Sequence, residues 1–446
     1  MTRSSRRLTR LIATATAVSA LAACGGSDGG GAGGGGGENE ASDTGITADA
    51  IKIGAHYPLT GVAAPGYSEI PTGVDCYFDF VNAAGGVNGR QIDYVYRDDA
   101  YNPTNTSAVV NELVLQDEVF MLMGGLGTPT HSAVLDFLNG EGVPDLFVAS
   151  GSLLWDNPEE NPYTFGWQPD YEIEGKVIGQ YIAENFPEAR VGLFLQDDDF
   201  GEDGEAGVRQ FIDDQIVAAE RYVPGNTDVG PQLAALQAAG ADFVVGFNVP
   251  SYTALSQLTA LRLGYDPQWF YSNVGSDPAL VGSLLANFSQ GQVSDASLLD
   301  GALTTEYLAG VDTPDDPWVQ LWQRVWDECE SAEGELTNYR VYGMAQAYTT
   351  IQALQAAGQN PTRDGLVEAV EQAGAEFEGP ALAPYRYSAE RHAGVGGVKI
   401  ARITGTSAED LTPVLVTDNG DAAIEESDAE PTTPPESGIP DVQPVG

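Results

Sequence analysis

Short apolar runs alternate with stretches of helical spacing along most of this chain. Ala50–Ala55 predicts a first strand, through Ile51 and Ile53. Gly73–Ala84 predicts a helix, with Val74, Tyr77, Phe78 and Val81 on one side. The rhythm continues with strand Ile92–Val95, helix Asn105–Gln116, strand Val119–Met123, helix Pro129–Leu138 and strand Pro144–Ala149. It resumes with helix Tyr171–Asn185, strand Arg190–Leu195, helix Glu205–Ile216, strand Asp242–Phe247, helix Ser251–Arg262, strand Trp269–Tyr271, helix Pro278–Asn287 and strand Gly301–Thr305. Helices at Pro317–Glu330, Asn338–Ala357 and Thr362–Gln372 follow, then strands near Tyr385–Tyr387, Val398–Ile403 and Val414–Val416. Strands alternating with helices predict parallel sheets covered on both faces. Ligands of such sheets sit beyond the carboxyl ends of strands, where loops enter helices.

The pattern fails at both ends. Arg3, Arg6, Arg7 and Arg10 precede a short apolar stretch, Leu11–Ala20, and small residues lead to Cys24. That stretch is too short to span a bilayer and reads as a cleaved export signal, residues 1–23. Leu21-Ala22-Ala23-Cys24 resembles the lipobox of bacterial lipoproteins, which implies a lipid on Cys24 and a place on the outer face of the cell membrane. Residues 24–48 hold the Gly33–Gly37 run and are expected to act as a flexible tether. Residues 425–446 carry Pro431, Pro434, Pro435, Pro440 and Pro444 among acids and are expected to be disordered. The nearly four hundred residues between exceed one core, so two lobes are expected.

Charge narrows the partners. The 446 residues hold 65 acids against 19 Lys and Arg, a formal net charge of −46. Such a surface disfavours nucleic acid, which needs a basic face, and leaves membrane attachment to the lipid. Lysine is confined to Lys52, Lys176 and Lys399, a composition suited to a salty exterior where ions screen self-repulsion. Besides Cys24 there are Cys76 and Cys329, which form either a disulfide or two separate buried thiols.

Two glycine-rich loops are the chemical candidates. Gly124-Gly125-Leu126-Gly127-Thr128-Pro129-Thr130 leaves a strand and opens a helix, so it offers N–H groups and two hydroxyls to an anion, or is a plain turn capped by Thr128. Ala149-Ser150-Gly151-Ser152 leaves the next strand and poses the same choice. Tyr67, Trp155, Trp167, Phe200 and Tyr252 fall in or beside loops, where aromatics wall pockets or simply pack. No Gly-x-Ser-x-Gly elbow or Walker loop occurs. His56, His131 and His392 lie far apart in sequence without metal-ligand spacing, and Asp197-Asp198-Asp199 lacks the pattern of a calcium loop. No catalysis, metal or cofactor is therefore expected.

From Ile51 to Ile403 the chain resembles the extracytoplasmic solute-binding proteins of branched-chain amino-acid-type ABC transporters. The landmarks are Ile51-Lys52-Ile53-Gly54, Pro58-Leu59-Thr60-Gly61, Val81-Asn82-Ala83-Ala84-Gly85-Gly86-Val87-Asn88-Gly89-Arg90 and Asp98-Asp99. Pro162-Tyr163-Thr164-Phe165, Asp198-Asp199-Phe200-Gly201 and Tyr342-Gly343 extend them. The resemblance implies an α/β fold of two doubly wound lobes joined by three crossover strands, closing on a ligand in the cleft. Lobe one would be 49–167 with 307–380, and lobe two 168–306 with 381–424. Both Cys76 and Cys329 then fall in lobe one, which favours their bridge. The carried-over ligand residues are Thr128 with Gly127, then Ser150, Gly151, Ser152, Phe200 and Tyr67. Two departures matter. A second-lobe tyrosine becomes Val249, beside Asn248. The glutamate that meets a ligand ammonium becomes Val274, with Asn273 and Asp277 nearby and Glu306 a further stand-in. Without a counter-charge a buried ammonium costs several kcal/mol, so the ligand is either an amino acid held by a substitute or a related amide or carboxylate.

The expected protein is a monomeric receptor that captures a small solute and passes it to an ABC permease. The alternative is a sensor using the same cleft to signal to a membrane partner. An extracellular hydrolase would draw only on loop acids and hydroxyls.

Overall fold

Five short parallel strands build the first sheet: β1 (Ala50–Tyr57), β2 (Gln91–Asp98), β3 (Met121–Met123), β4 (Asp145–Val148) and β5 (Thr164–Gly166), in the order β2-β1-β3-β4-β5. β3, β4 and β5 are buried along their whole length, as strands covered on both faces must be. The computed structural model describes residues 39–445, so the signal segment, Cys24 and the glycine run lie outside the described residues.

The second sheet has nine strands: β6 (Val191–Gln196), β7 (Ile216–Tyr222), β8 (Phe243–Phe247), β9 (Gln268–Tyr271), β10 (Leu303–Glu306), β11 (Gly397–Thr404), β12 (Ser407–Asp410), β13 (Leu415–Val416) and β14 (Glu425–Glu426). β6 to β10 pair in parallel, while β11 runs antiparallel to β10 and starts an antiparallel edge. The chain passes between the sheets after β5, after β10 and before β11. The result is two α/β lobes facing across a cleft.

Helix Ile70–Ala83 packs on Asn338–Ala356 beside the first sheet, and Cys76 is bonded to Cys329 at the end of helix Pro317–Glu328. In the second lobe helices Tyr171–Asn185 and Asp199–Ile212 meet backbone to backbone. A Cβ on Gly175 would lie 2.4 Å from the Gly204 carbonyl oxygen, so only glycine permits this approach.

Several expectations are corrected. The helix predicted over Pro129–Leu138 is two short helices, Thr128–Ser132 and Leu135–Gly140. Tyr385–Tyr387 makes only an isolated bridge, Tyr385 with Val395. β7 and helix Gly230–Ala238 escape the periodicity, because β7 is an edge strand with no run of buried residues. Residues 39–48, expected to belong to the tether, are packed: Ile46 is buried and bridges Ile51, and the Arg90 side chain donates to the Thr47 and Glu40 carbonyls. The tail expected to be disordered is packed. After β14 it returns to the first lobe, where Trp318 donates to the Thr432 carbonyl at 3.0 Å and Tyr77 to the Gly438 carbonyl at 2.9 Å. Its prolines need no N–H partners, and Arg324 and Gln355 on the lobe-one helices donate to further tail carbonyls, at Glu436, Ser437 and Pro440.

Candidate functional site

A cavity of about 190 Å³ lies between the lobes. Its first-lobe floor is the loop after β3. Gly127 has φ +101°, and a Cβ there would lie 2.5 Å from the Tyr101 ring, so the loop requires glycine at this point. Leu126, Gly127 and Thr128 line the cavity beside Ala149 at the end of β4. Tyr101 arrives with left-handed backbone, φ +57°. The Thr128 hydroxyl lies 2.7 Å from the Ser150 hydroxyl, which Tyr171 approaches at 3.4 Å. The Thr130 hydroxyl turns away to the Leu126 carbonyl.

Tyrosines wall the rest. Tyr67, Tyr101, Tyr171, Tyr307, Tyr339 and Tyr342 all line the cavity. Burial pushes the Tyr171 phenol up to about 12 and holds Tyr67, Tyr101 and Tyr342 well above the usual phenol range, so their hydroxyls remain donors. Tyr342 donates to Gln168 at 2.9 Å, which fixes another polar wall.

The second lobe supplies Phe200, Val249, Asn273, Val274 and Asp277. Asp198 caps helix Asp199–Ile212 by accepting from the Phe200 N–H, and so places the Phe200 ring 4.4 Å from Tyr171. Asp277 caps helix Pro278–Phe288 through the Leu280 N–H at 2.7 Å, and its other oxygen accepts from Asn338 of the first lobe at 2.7 Å. Burial pushes the Asp277 carboxyl up. No lysine or arginine lines the cavity among the described residues. Glu306 also faces it, but Lys399 lies 3.1 Å away and compensates its charge.

Of the residues expected to hold ligand, Thr128, Gly127, Phe200, Tyr67, Asn273 and Asp277 line the cavity, and Ser150, Gly151, Ser152 and Asn248 do not. Those four stand behind it. Ser150 braces Thr128, the Gly151 carbonyl accepts from the Tyr171 N–H at 2.8 Å, and Ser152 caps the turn at Leu154. Asn248 is buried on Thr253 and against Gly246, where no Cβ stands in its way.

One residue had no sequence signal. Glu174, on helix Tyr171–Asn185, is fully buried and accepts from Ser272 Oγ at 2.9 Å, from the Asn273 N–H and side-chain amide at 2.8 Å each, and from the Thr305 hydroxyl. Burial pushes its carboxyl up, against the pull of these donors. It fixes Asn273 and Thr305 at the wall without lining the cavity itself.

The family model described as periplasmic binding protein matches residues 50–409. The chain belongs to this family. Its relatives include the leucine-, isoleucine-, valine-, threonine-, and alanine-binding protein of Pseudomonas aeruginosa, 26% identical over 211 residues, 45% of this chain and 54% of that protein. Leu/Ile/Val-binding protein homolog 7 of Brucella abortus is 24% identical over 301 residues, 65% of this chain and 74% of that one. The chain thus spans about half the length of the first curated relatives it matches. A branched-chain amino acid ABC transporter structure from Thermus thermophilus with bound valine has a TM-score of 0.71 at 20% identity, covering 83% of this periplasmic binding protein and 97% of its own chain. A fatty acid ABC transporter substrate-binding protein from Thermomonospora curvata has a TM-score of 0.72 at 20% identity, covering 84% and 95%. These structures share the fold of two lobes around a cleft.

Proposed function

We infer that this protein captures a small polar solute, an amino acid or a related amide or carboxylate, by lobe closure and delivers it to an ABC permease. The observation that carries the reading is the cavity enclosed between the lobes, with Thr128 and tyrosine hydroxyls on one side and Asp277 on the other. Family membership and relatives named for leucine, isoleucine and valine support the solute class. The solute's carboxylate or carbonyl meets the Thr128 side. An ammonium meets Asp277, which takes over the counter-charge that Val274 cannot give. The protein works outside the cytoplasm as a monomer, tethered through a lipid on Cys24, and binds without catalysis.

A thermal-shift screen of the soluble domain tests this, against amino acids, amides, urea, organic acids and aromatic acids in low and high salt. A ligand that binds only the folded state raises the midpoint. The expected result is a shift with an aliphatic amino acid that Asp277→Asn removes. A shift with neutral amides alone overturns the ammonium assignment, and no shift across the panel overturns the solute class.

A further inference from the structure

Beneath the floor of the cavity lies a buried row of four titratable side chains that solute capture does not use. Asp99 Oδ2 is 2.8 Å from His56 Nδ1, His56 Nε2 is 2.9 Å from His131 Nδ1, and His131 Nε2 is 2.7 Å from Asp145 Oδ2. All four are fully buried. Strand order explains the meeting: β1, which carries His56, lies between β2, which leads to Asp99, and β3, which leads to His131.

Three hydrogen bonds in a row need three hydrogens. Ionised carboxylates bring none, and two neutral imidazoles bring one each. The row closes only with one proton more than two neutral histidines and two carboxylates hold. We propose that Asp99, His56, His131 and Asp145 form a proton-binding site, and that its proton keeps the loop Gly125–Thr128 in place under the solute cavity.

The surroundings agree. Asp99 and Asp145 are the charged side chains facing the two rings. Thr106 donates to Asp99 Oδ2 at 3.1 Å, the Tyr101 N–H to Asp99 Oδ1 at 2.8 Å, and Thr164 to Asp145 Oδ2 at 3.2 Å. The Trp155 ring packs edge-on to His131. Asp145 Oδ1 has no partner among the described residues, and of the two side chains on Oδ2, Thr164 and His131, only His131 can bring a positive charge. Burial pushes the His56 imidazolium down, against the pull of Asp99. His56 is then the neutral member, donating to Asp99 and accepting at Nε2, while His131 donates through both nitrogens. The proton belongs to the row as a unit.

The coupling to the loop is steric. A Cβ on Gly125 would lie 2.5 Å from His131 Nδ1 and 2.7 Å from His56 Nε2, so the Gly125 backbone rests directly on the junction of the rings. The next N–H, of Leu126, donates to the carbonyl of His56 itself at 3.2 Å. When the extra proton leaves, each imidazole keeps its bond to its own carboxylate and two lone pairs face each other at the junction. The rings part, and Gly125 moves with Leu126, Gly127 and Thr128. The loop is therefore held on the acid side of the titration and released as pH rises.

NMR of the full chain with nitrogen-15-labelled histidine and backbone, with no solute added, tests this from about pH 5 to about pH 9. The expected result is three protonated nitrogens across the His56 and His131 rings at low pH and two at high pH. The amide signals of Gly125, Leu126, Gly127 and Thr128 shift with the same midpoint. His131→Phe, which keeps a ring against Trp155, removes the loop shift. Two protonated nitrogens throughout, or loop amides that stay still while the rings titrate, overturn the proposal. If His131→Phe does not fold, the native ring count and loop shift decide alone. No solute enters, so the result is independent of the solute reading.

Discussion

The Tyr67 hydroxyl donates to the Val274 carbonyl across the cleft at 3.2 Å. A first-lobe side chain thus holds the second-lobe loop whose own side chain carries no charge. Tyr67→Phe keeps the ring and removes this bond, so solute affinity is expected to fall by about 1 kcal/mol with the melting temperature of the empty protein little changed. Titration calorimetry checks it, and unchanged affinity would remove Tyr67 from the closure contact.

Thr128 is the first-lobe hydroxyl best placed for a solute's polar head. Thr128→Val preserves shape but leaves Ser150 with only the longer contacts to Tyr171 and to the Ser152 N–H. Binding is expected to weaken by about 1–3 kcal/mol with the fold intact. Circular dichroism and calorimetry on the same sample separate the two effects.

Glu174 faces only donors. Glu174→Gln turns an amide NH₂ toward at least one of the groups that now donate to it, leaving that group unpaired in the interior. A loss of about 1–3 kcal/mol in unfolding free energy is expected. Urea melts measure it; a neutral outcome would mean that Asn273 and Thr305 find other acceptors.

Burial pushes Asp75, Asp198 and Asp203 each up to about 6, from an ordinary 3.8. Folding therefore favours their protonated forms. The stability they contribute is full below the ordinary carboxyl range and is lost as pH rises through about 6. His56, held below its usual 6.5 by burial, acts the other way and withdraws stability as pH falls. His392, also held low by burial, joins His56, and three carboxyls against two imidazoles leave the melting temperature higher near pH 5 than near pH 7.5. Asp203→Asn should shrink that difference, and a midpoint that falls on acidification would contradict the assignment.

The Cys76–Cys329 bond joins residues 253 apart in sequence. Cys329→Ser is expected to cost about 2–5 kcal/mol. Thermal melts with and without reductant check this: the native protein should lose stability on reduction and the variant should not.

The sheet rhythm was legible because strands such as Phe243–Phe247 are wholly buried and apolar, whereas β7 was hidden by its exposed edge position. Loop glycines led to residues that line the cavity, Gly127 and Thr128, whereas Ser150 lies one layer deeper, with its hydroxyl on Thr128. Glu174 carried no signal because its partners lie 98 residues or more away, beyond local spacing. His56 and His131 looked unrelated, 75 residues apart, until β1 and β3 became neighbours in the sheet. The tail misled because proline and acid content describes a chain alone in water and says nothing of the donors, Tyr77, Trp318, Arg324 and Gln355, that receive it.

Both ends of the described unit arrive at one short segment. Gln359 donates to the Asn39 side chain at 3.0 Å, the Glu40 N–H donates to Asn360 at 2.9 Å, and the Val445 N–H donates to the Ala356 carbonyl at 2.9 Å. The backbone is nearly a closed ring. A short linker can splice these ends, and new ones can be opened in the exposed turn Asn226–Asp228 of the second lobe. Such a circular permutant keeps every passage between the lobes while moving its free ends away from the 356–361 segment, where a reporter fused to them would ride on lobe two.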